Sequence, residues 1–315
     1  RHHKNPVGTS WRWQVDDPEL LIKGFTENHR SMIREMRGLP GVIPERLEEA
    51  KTIKHCALSL VGEPIIYPHI NTFLNRLHEE GISSFLVSNA QFPAAMESLV
   101  PCTQLYVSID ASNAAELKEI DRPLFKDFWQ RFLDCIDILA NKGQRTVFRL
   151  TLVKAFNMAE VEGYAELIRR GKPDFVEVKG VTFTGGKKPQ LGMSNVPWHA
   201  EVVEFTSAIC KLVADDYEVA SEHAHSCAVL LAHKKFKKGN DWYTWIDFPK
   251  FLQLSKQSAP FSSADYMAKT PEWAVFGRGL PGDGGFDPAE VHWRKGDSRT
   301  TTPASTRPST PAPSF

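Results

Sequence analysis

Five short apolar runs in this sequence each end in a small group of polar residues, and most of its potential chemistry stands at those endings. The first run closes on Gly62-Glu63-Pro64, the second on Ser88-Asn89, the third on Ser108-Ile109-Asp110, the fourth on Lys154 and Asn157, and the fifth on Lys179-Gly180. Gathered in one concavity, such carboxylates, hydroxyls and amides would supply donors and acceptors suited to a zwitterionic, ribose-bearing ligand. Singly, each has a plainer reading, because Gly-Glu-Pro is a turn and Ser-Asn a helix cap. Lys179 differs in kind, since it shares its run with Phe175, Val176, Val178 and Val181. An ammonium buried there is costly unless paired or deprotonated. It therefore reads either as an amine able to form a Schiff base with a keto acid, or as a lysine paired with Glu177 or with a substrate phosphate. His223 and His225 alternate on one strand face with no further ligand close in sequence, which argues against a metal site.

The elements that must position these residues are legible as alternating short apolar runs and amphipathic stretches. Strands are expected at 55–61, 83–88, 103–109, 145–153 and 174–182, and helices at 68–80, 92–98, 124–141, 158–171 and 198–213. The runs hold few charges, as strands buried on both faces of a parallel sheet do. Repeated strand–helix units with no dinucleotide fingerprint favour a full or partial α/β barrel, whose active site forms where the strands end. A helix is expected over 18–38, with Asp16 or Asp17 before Pro18 as its start signal. The resulting divisions are a helical segment at 1–54, a barrel core at 55–213 and a C-terminal extension at 214–296. The extension holds the strand-like 217–232, a lysine-rich run from Lys234 to Lys238, and Trp242 to Trp245. Residues 297–315 hold 13 Ser, Thr or Pro among 19, a composition that cannot repay ordering and reads as a disordered tail.

The 315 residues carry 38 Lys and Arg against 38 Asp and Glu. A polyanionic partner would therefore have to be held by local basic patches. Cys56, Cys102, Cys135, Cys210 and Cys227 are dispersed, so neither a disulfide framework nor a zinc site is readable, and all five are expected to pack as small core residues. No apolar run is long enough to span a membrane. A reducing, cytoplasmic setting follows as the expectation.

The words Arg1-His2-His3-Lys4-Asn5-Pro6, Ser59-Leu60-Val61-Gly62-Glu63-Pro64, Val87-Ser88-Asn89-Ala90-Gln91-Phe92-Pro93, Tyr106-Val107-Ser108-Ile109-Asp110-Ala111 and Val178-Lys179-Gly180-Val181-Thr182 resemble a known family. So do Asp265-Tyr266-Met267-Ala268 and Pro271-Glu272-Trp273-Ala274. That family is the tRNA 4-demethylwyosine synthases, radical S-adenosylmethionine (SAM) enzymes of wybutosine biosynthesis, and the resemblance runs over nearly all of residues 1–293. It implies a partial (β/α)6 radical-SAM barrel with a C-terminal extension, binding SAM and a 4Fe-4S cluster that together generate a 5′-deoxyadenosyl radical. The implied reaction condenses N1-methylguanosine beside the anticodon of tRNA-Phe with pyruvate to give 4-demethylwyosine. It also implies an electron donor, with FMN in an upstream flavodoxin-like domain of eukaryotic members.

In the resemblance, Gly62, Glu63 and Pro64 form the turn that meets the methionine ammonium of SAM. Ser88, Asn89, Ser108 and Asp110 stand where they would bond its ribose and carboxylate, and pyruvate is the keto acid for Lys179. The family's Cys-x3-Cys-x2-Cys-Trp stands immediately before Arg-His-His, the point at which this sequence opens. The chain is accordingly expected to be a C-terminal fragment that assembles no cluster and is inactive by itself. The alternatives are a cluster-free tRNA-binding pseudoenzyme or another radical SAM enzyme. For RNA, the candidates are His2, His3 and Lys4; Arg30, Arg34 and Arg37, whose spacing stacks them on one helix face; Lys187 and Lys188; and the Lys234 to Lys238 run. Each could equally be a solvated face.

Overall fold

A computed structural model describes residues 14–59, 62–183, 192–257, 259–279 and 284–287 of the protein. Helix α1 (Pro18–Glu35) starts where Asp17 accepts the Glu19 N–H at 2.8 Å and Pro18 takes the first turn, where its missing N–H costs nothing. It buries Ile22 among Phe73, Leu77 and Ile82. After α2 (Pro44–Ala50), strands β1 (His55–Leu58), β2 (Ser83–Ser88), β3 (Gln104–Ser108), β4 (Arg145–Leu152) and β5 (Phe175–Gly180) pair in parallel and in chain order. Between them run α3 (Ile70–Glu79), α4 (Pro93–Ser98), α5 (Ala114–Asp121) with α6 (Phe128–Leu139), and α7 (Val161–Gly171). This is the α/β layout expected from the sequence, with β2 at the expected bounds and β1, β3, β4 and β5 each shorter by one residue or more.

Helix α8 (His199–Leu212) leads to β6 (Tyr217–His223) and β7 (Ala228–His233). Strand β7 lies antiparallel between β5 and β6, so β6 points the same way as the five parallel strands. The stretch 217–232, read from sequence as an extension beyond the barrel, is thus a hairpin inside the same sheet. Its turn passes through Ala224–Ser226 into Cys227, which takes a left-handed φ of 50°. No glycine or proline marks that turn, which is why the sequence reads as one run.

Strand alternation sorts the side chains into two rows. Leu86, Val107, Phe148, Val176 and Leu231 point outward and pack with Phe132, Ile136, Ile168 and Ile209 of the helices. Tyr106, Val147, Phe175 and Ala232 point into the lumen and meet Phe236 and Trp242. These last two belong to the C-terminal segment, which adds β8 (Lys237–Lys238), β9 (Asp241–Trp242), β10 (Trp245–Ile246), α9 (Phe248–Ser255) and β11 (Met267–Ala268). That segment closes the end of the barrel where the strands begin. There the buried Tyr266 hydroxyl accepts the Arg145 N–H at 2.6 Å and donates to the Thr103 carbonyl at 3.0 Å. Among the described residues no helix is long and apolar enough to cross a membrane.

Gly171 ends α7 against the sheet, where an added Cβ would stand 2.4 Å from Phe148 Cζ and 2.8 Å from Ile136 Cγ2. Gly171→Ala should therefore overpack the core and cost about 1–3 kcal/mol. Thermal unfolding should show the lowered midpoint, and Phe148→Leu in the same chain should restore part of it.

Candidate functional site

At the end of β1 the chain must turn sharply, and Gly62 does so at φ +100°, a conformation that L side chains rarely adopt. Glu63 follows and is 7% exposed; one carboxylate oxygen accepts the backbone N–H of Asn89 at 3.0 Å. This bond ties the ends of β1 and β2 together and fixes the carboxylate at the mouth of the lumen. Pro64 then opens a short 3-10 turn through Ile66.

Of the Ser88-Asn89 pair only one member faces the lumen. Ser88 pairs with the outward-facing Val107, and its hydroxyl accepts the N–H of Ala90 at 3.1 Å. Ala90 holds a left-handed φ of 55°, so Ser88 braces a turn rather than contacting a ligand. Asn89 has the inward parity, and its side-chain oxygen is buried with no hydrogen-bond partner among the described residues. A buried acceptor of that kind calls for a donor from a bound molecule or water.

Ser108 at the end of β3, and Asp110 two residues past it, continue the inward row. Burial, and next the neighbouring Asp121 carboxylate, push the Asp110 carboxyl up to about 7, with the Arg149 guanidinium opposing. Asp121 is raised as well, by burial. Asn157, a strand-end residue with a functional reading in the sequence, is a clamp. Its amide donates to the carbonyls of Asp110 (2.9 Å) and Thr151 (2.8 Å) and accepts from Val153. Lys154 is held by Glu201 at 2.6 Å.

The lumen also holds a network that sequence reasoning missed. Ser108, Arg149 and Glu177 stand side by side in register on β3, β4 and β5. Glu177 accepts the Tyr106 hydroxyl at 2.9 Å and lies 3.9 Å from Arg149 Nε. The available signal was parity, since each of two adjacent apolar runs places two charged residues on the same face, Arg145 and Arg149 on β4 and Glu177 and Lys179 on β5.

Lys179 lies at the mouth end of β5, two residues beyond Glu177, in register with Thr151 and Ala228. The strand does not bury it fully, and it forms no ion pair with Glu177. The desolvation on which a Schiff-base amine was expected is therefore only partial.

The basic candidates divide. Arg30 and Arg34 are exposed on α1, whereas Arg37 falls just past the Met36 C-cap, so the three do not share one helix face throughout. The lysine run is taken up in contacts of the fold. Lys234 donates to the Ala214 carbonyl, Lys235 pairs with Asp174 at 2.5 Å, Lys237 pairs with Glu218 at 2.6 Å, and Lys238 lies over the Tyr243 ring. It also lies beyond the end of β7, at the base of the barrel and opposite the mouth. His2, His3, Lys4, Lys187 and Lys188 lie outside the described residues.

A 4Fe-4S cluster is held by cysteine thiolates. Cys102 and Cys135 are fully buried, and burial pushes both thiols up to about 12. Among the described residues no group of three His, Cys, Asp or Glu could hold a metal ion. The cysteines among the described residues do not fit such a cluster. The strand-end groups, with the orphaned Asn89 oxygen, do fit a polar, ribose-bearing molecule.

Two family models match, one described as the radical SAM superfamily over residues 28–168 and one as wyosine base formation over residues 170–233. SAM-dependent tRNA 4-demethylwyosine synthases of Danio rerio and Homo sapiens are 58% and 56% identical to the chain over 302 and 307 residues, covering 94% and 95% of it and 41% of each relative. The Arabidopsis thaliana synthase is 52% identical over 297 residues, which is 94% of this chain and 45% of that one. The chain thus spans less than half the length of these curated relatives. A solved structure of TYW1 with a lysine–pyruvate adduct bound superposes with TM-score 0.63 at 27% identity, covering 71% of this chain and 72% of that one. Archaeal TYW1 gives 0.62 at 25% identity, covering 75% and 77%.

The raised Asp110 carboxyl has a consequence for stability. Between the ordinary carboxylate range and about pH 7, the folded protein holds a proton that the unfolded chain releases, so stability falls as pH rises through that window. Asp110→Asn should flatten this dependence. Urea midpoints at pH 5 and pH 8 should drop less in the variant than in the parent, and equal drops would contradict the assignment.

Proposed function

Because this chain belongs to the tRNA 4-demethylwyosine synthase family of radical SAM enzymes, we propose that it forms the SAM-binding and RNA-binding walls of an enzyme that condenses N1-methylguanosine beside the anticodon of tRNA-Phe with pyruvate to 4-demethylwyosine. The observation that carries the reading is the pairing at the mouth of the lumen. There a carboxylate is fixed by the backbone N–H of Asn89, whose side-chain oxygen awaits a donor. An ammonium beside Glu63 and ribose hydroxyls beside Asn89, Ser108 and Asp110 would satisfy these groups together.

When bound, SAM would be held at this mouth and would supply the radical chemistry of the proposed reaction; the 4Fe-4S cluster, the electron donor and the FMN of this reading would have to come from a longer enzyme, because the cysteines of this chain do not fit a cluster. The residues of this chain bind and orient. Gly62 and Pro64 shape the turn that presents Glu63. Arg149 and Glu177 form the polar wall below the mouth, braced by Tyr106. Lys179, partly buried at the rim, is assigned an electrostatic role toward the carboxylate or phosphate of a substrate. A solved relative carries a lysine–pyruvate adduct, while here the partial burial of Lys179 favours a point charge. Arg30, Arg34 and Arg37, exposed and outside any ion pair among the described residues, are assigned to tRNA phosphates.

Two tests follow. Glu63→Gln should weaken SAM binding by about 1.5–3 kcal/mol, the loss of one charge-assisted bond, which is roughly 10- to 150-fold in Kd. Asn89→Ala keeps the backbone bond to Glu63 and should weaken binding by about 0.5–1.5 kcal/mol with an unchanged melting temperature. Calorimetry showing unaltered SAM affinity in both would remove the site from this mouth.

Replacing Arg30, Arg34 and Arg37 together with Gln should lower tRNA affinity and flatten its salt dependence, each lost phosphate contact removing roughly 0.7–0.9 from the logarithmic slope. A variant with the parent's affinity and slope would leave α1 as a solvated face.

A further inference from the structure

A cavity of about 580 Å³ opens at the base of the barrel, at the end opposite Glu63 and Asp110. Residues at the starts of four strands line it, with Lys54 and His55 before or on β1, Gly81 before β2, Gln104 on β3 and Arg145 on β4. Its other wall comes from the C-terminal segment, where Trp245, Ile246, Phe248 and Leu252 supply flat and branched apolar surface.

Arg145 is the unusual member. It is 5% exposed, yet among the described residues it has no carboxylate within ion-pair distance. One guanidinium nitrogen donates to the Thr244 carbonyl at 2.7 Å and meets Met267 Sδ at 3.1 Å, while the group lies 3.9 Å over the Phe175 ring. Its Nε is buried with no hydrogen-bond partner among the described residues. The acidic groups around it are engaged elsewhere, Asp174 by Lys235 and the Thr146 N–H, Glu177 by Tyr106 and Arg149. A buried guanidinium is ordinarily paired, because the desolvation cost of an unpaired one is large. Here the wall of a cavity holds the cation, and an exposed ammonium, Lys54, stands on the same wall.

We propose that this cavity is a second binding site, distinct from the strand-end site, for a small molecule with an oxyanion head and a flat apolar body. The head meets Arg145, with Lys54 adding positive charge, and the body lies against Trp245 and Phe248. Carboxylates and phosphates both match the planar donor fork of an arginine, and aromatic bodies match the rings of the wall. The inference stands independently of the reading of the strand-end site, because no residue is shared between the two.

Phenylacetate and phenyl phosphate are suitable probes for the two kinds of head, with phenylacetamide as the neutral control, titrated into the whole chain and followed by Trp fluorescence and calorimetry. We expect saturable 1:1 binding of at least one anion, and at least tenfold weaker binding of phenylacetamide. The stronger anion identifies the head. Arg145→Gln should abolish binding. Should that variant fail to fold, Lys54→Gln and Trp245→Ala, both at exposed positions, should each weaken the anion severalfold with the melting temperature retained. The proposal is overturned if neither anion saturates in folded protein, if the amide binds as well as the anions, or if Lys54→Gln and Trp245→Ala leave affinity unchanged.

Discussion

Strand register is the constraint on which the rest of this protein depends. Because side chains alternate faces, Val107, Phe148 and Val176 can pack on the helices only if Ser108, Arg149 and Glu177 point into the lumen. A slip of one residue would expose the whole apolar row and bury the charged one. The outer core therefore fixes the polar inner wall without any contact between the two. The same coupling reaches the mouth, where the positions of Asn89, Asp110 and Lys179 follow from the strands beneath them.

Much of this was legible in the sequence, for physical reasons that differ by element. Strands β2 to β5 could be read because burial on both faces makes them nearly continuous apolar runs bounded by polar ends, whereas β1, at the sheet edge, is exposed or half-buried along its length. The β6–β7 hairpin could not, since its turn places Cys227 in a left-handed conformation that no glycine announces. Strand ends were correctly located as the polar rim, but end position does not reveal parity. Ser88 and Asn89 are neighbours in sequence and face opposite sides of the sheet. Asn157 looked like a ligand group and is a clamp, because its three bonds go to backbone atoms of the segment after β3, of β4 and of the turn that follows β4. The lysine run from 234 to 238 looked like a solvated or RNA-facing patch. It is spent on Asp174, Glu218 and ring faces, partners distant in sequence that no local reading can supply.

The two ends of the lumen are built on different logic. At the mouth, polar groups stand on the ends of strands and are oriented by single hydrogen bonds between adjacent strands, as Glu63 is by Asn89. At the base, the C-terminal segment seals the lumen with aromatic bulk, and several polar atoms there find hydroxyl and carbonyl partners within the seal. Thr244 accepts or donates to Thr270 at 2.9 Å, and its N–H reaches the same hydroxyl at 2.9 Å. The mouth is thus left with acceptors for a visiting molecule, whereas the base is closed except beside Arg145.

The Tyr266 hydroxyl sets an order of events during synthesis. It joins Arg145 and Thr103 across separations of 121 and 163 residues, so neither bond can form until synthesis has passed well beyond Tyr266. The parallel strands emerge earlier and can pair in sequence, but their lumen stays open at the base and the Arg145 guanidinium stays hydrated until residues 244–267 arrive. Non-local closure of this kind slows folding and prolongs exposure of apolar surface. A nascent chain stalled before Tyr266 would be a formed sheet with a wet interior, a natural client for chaperones that recognise Phe175, Val147 and Tyr106 before Phe236 and Trp242 cover them.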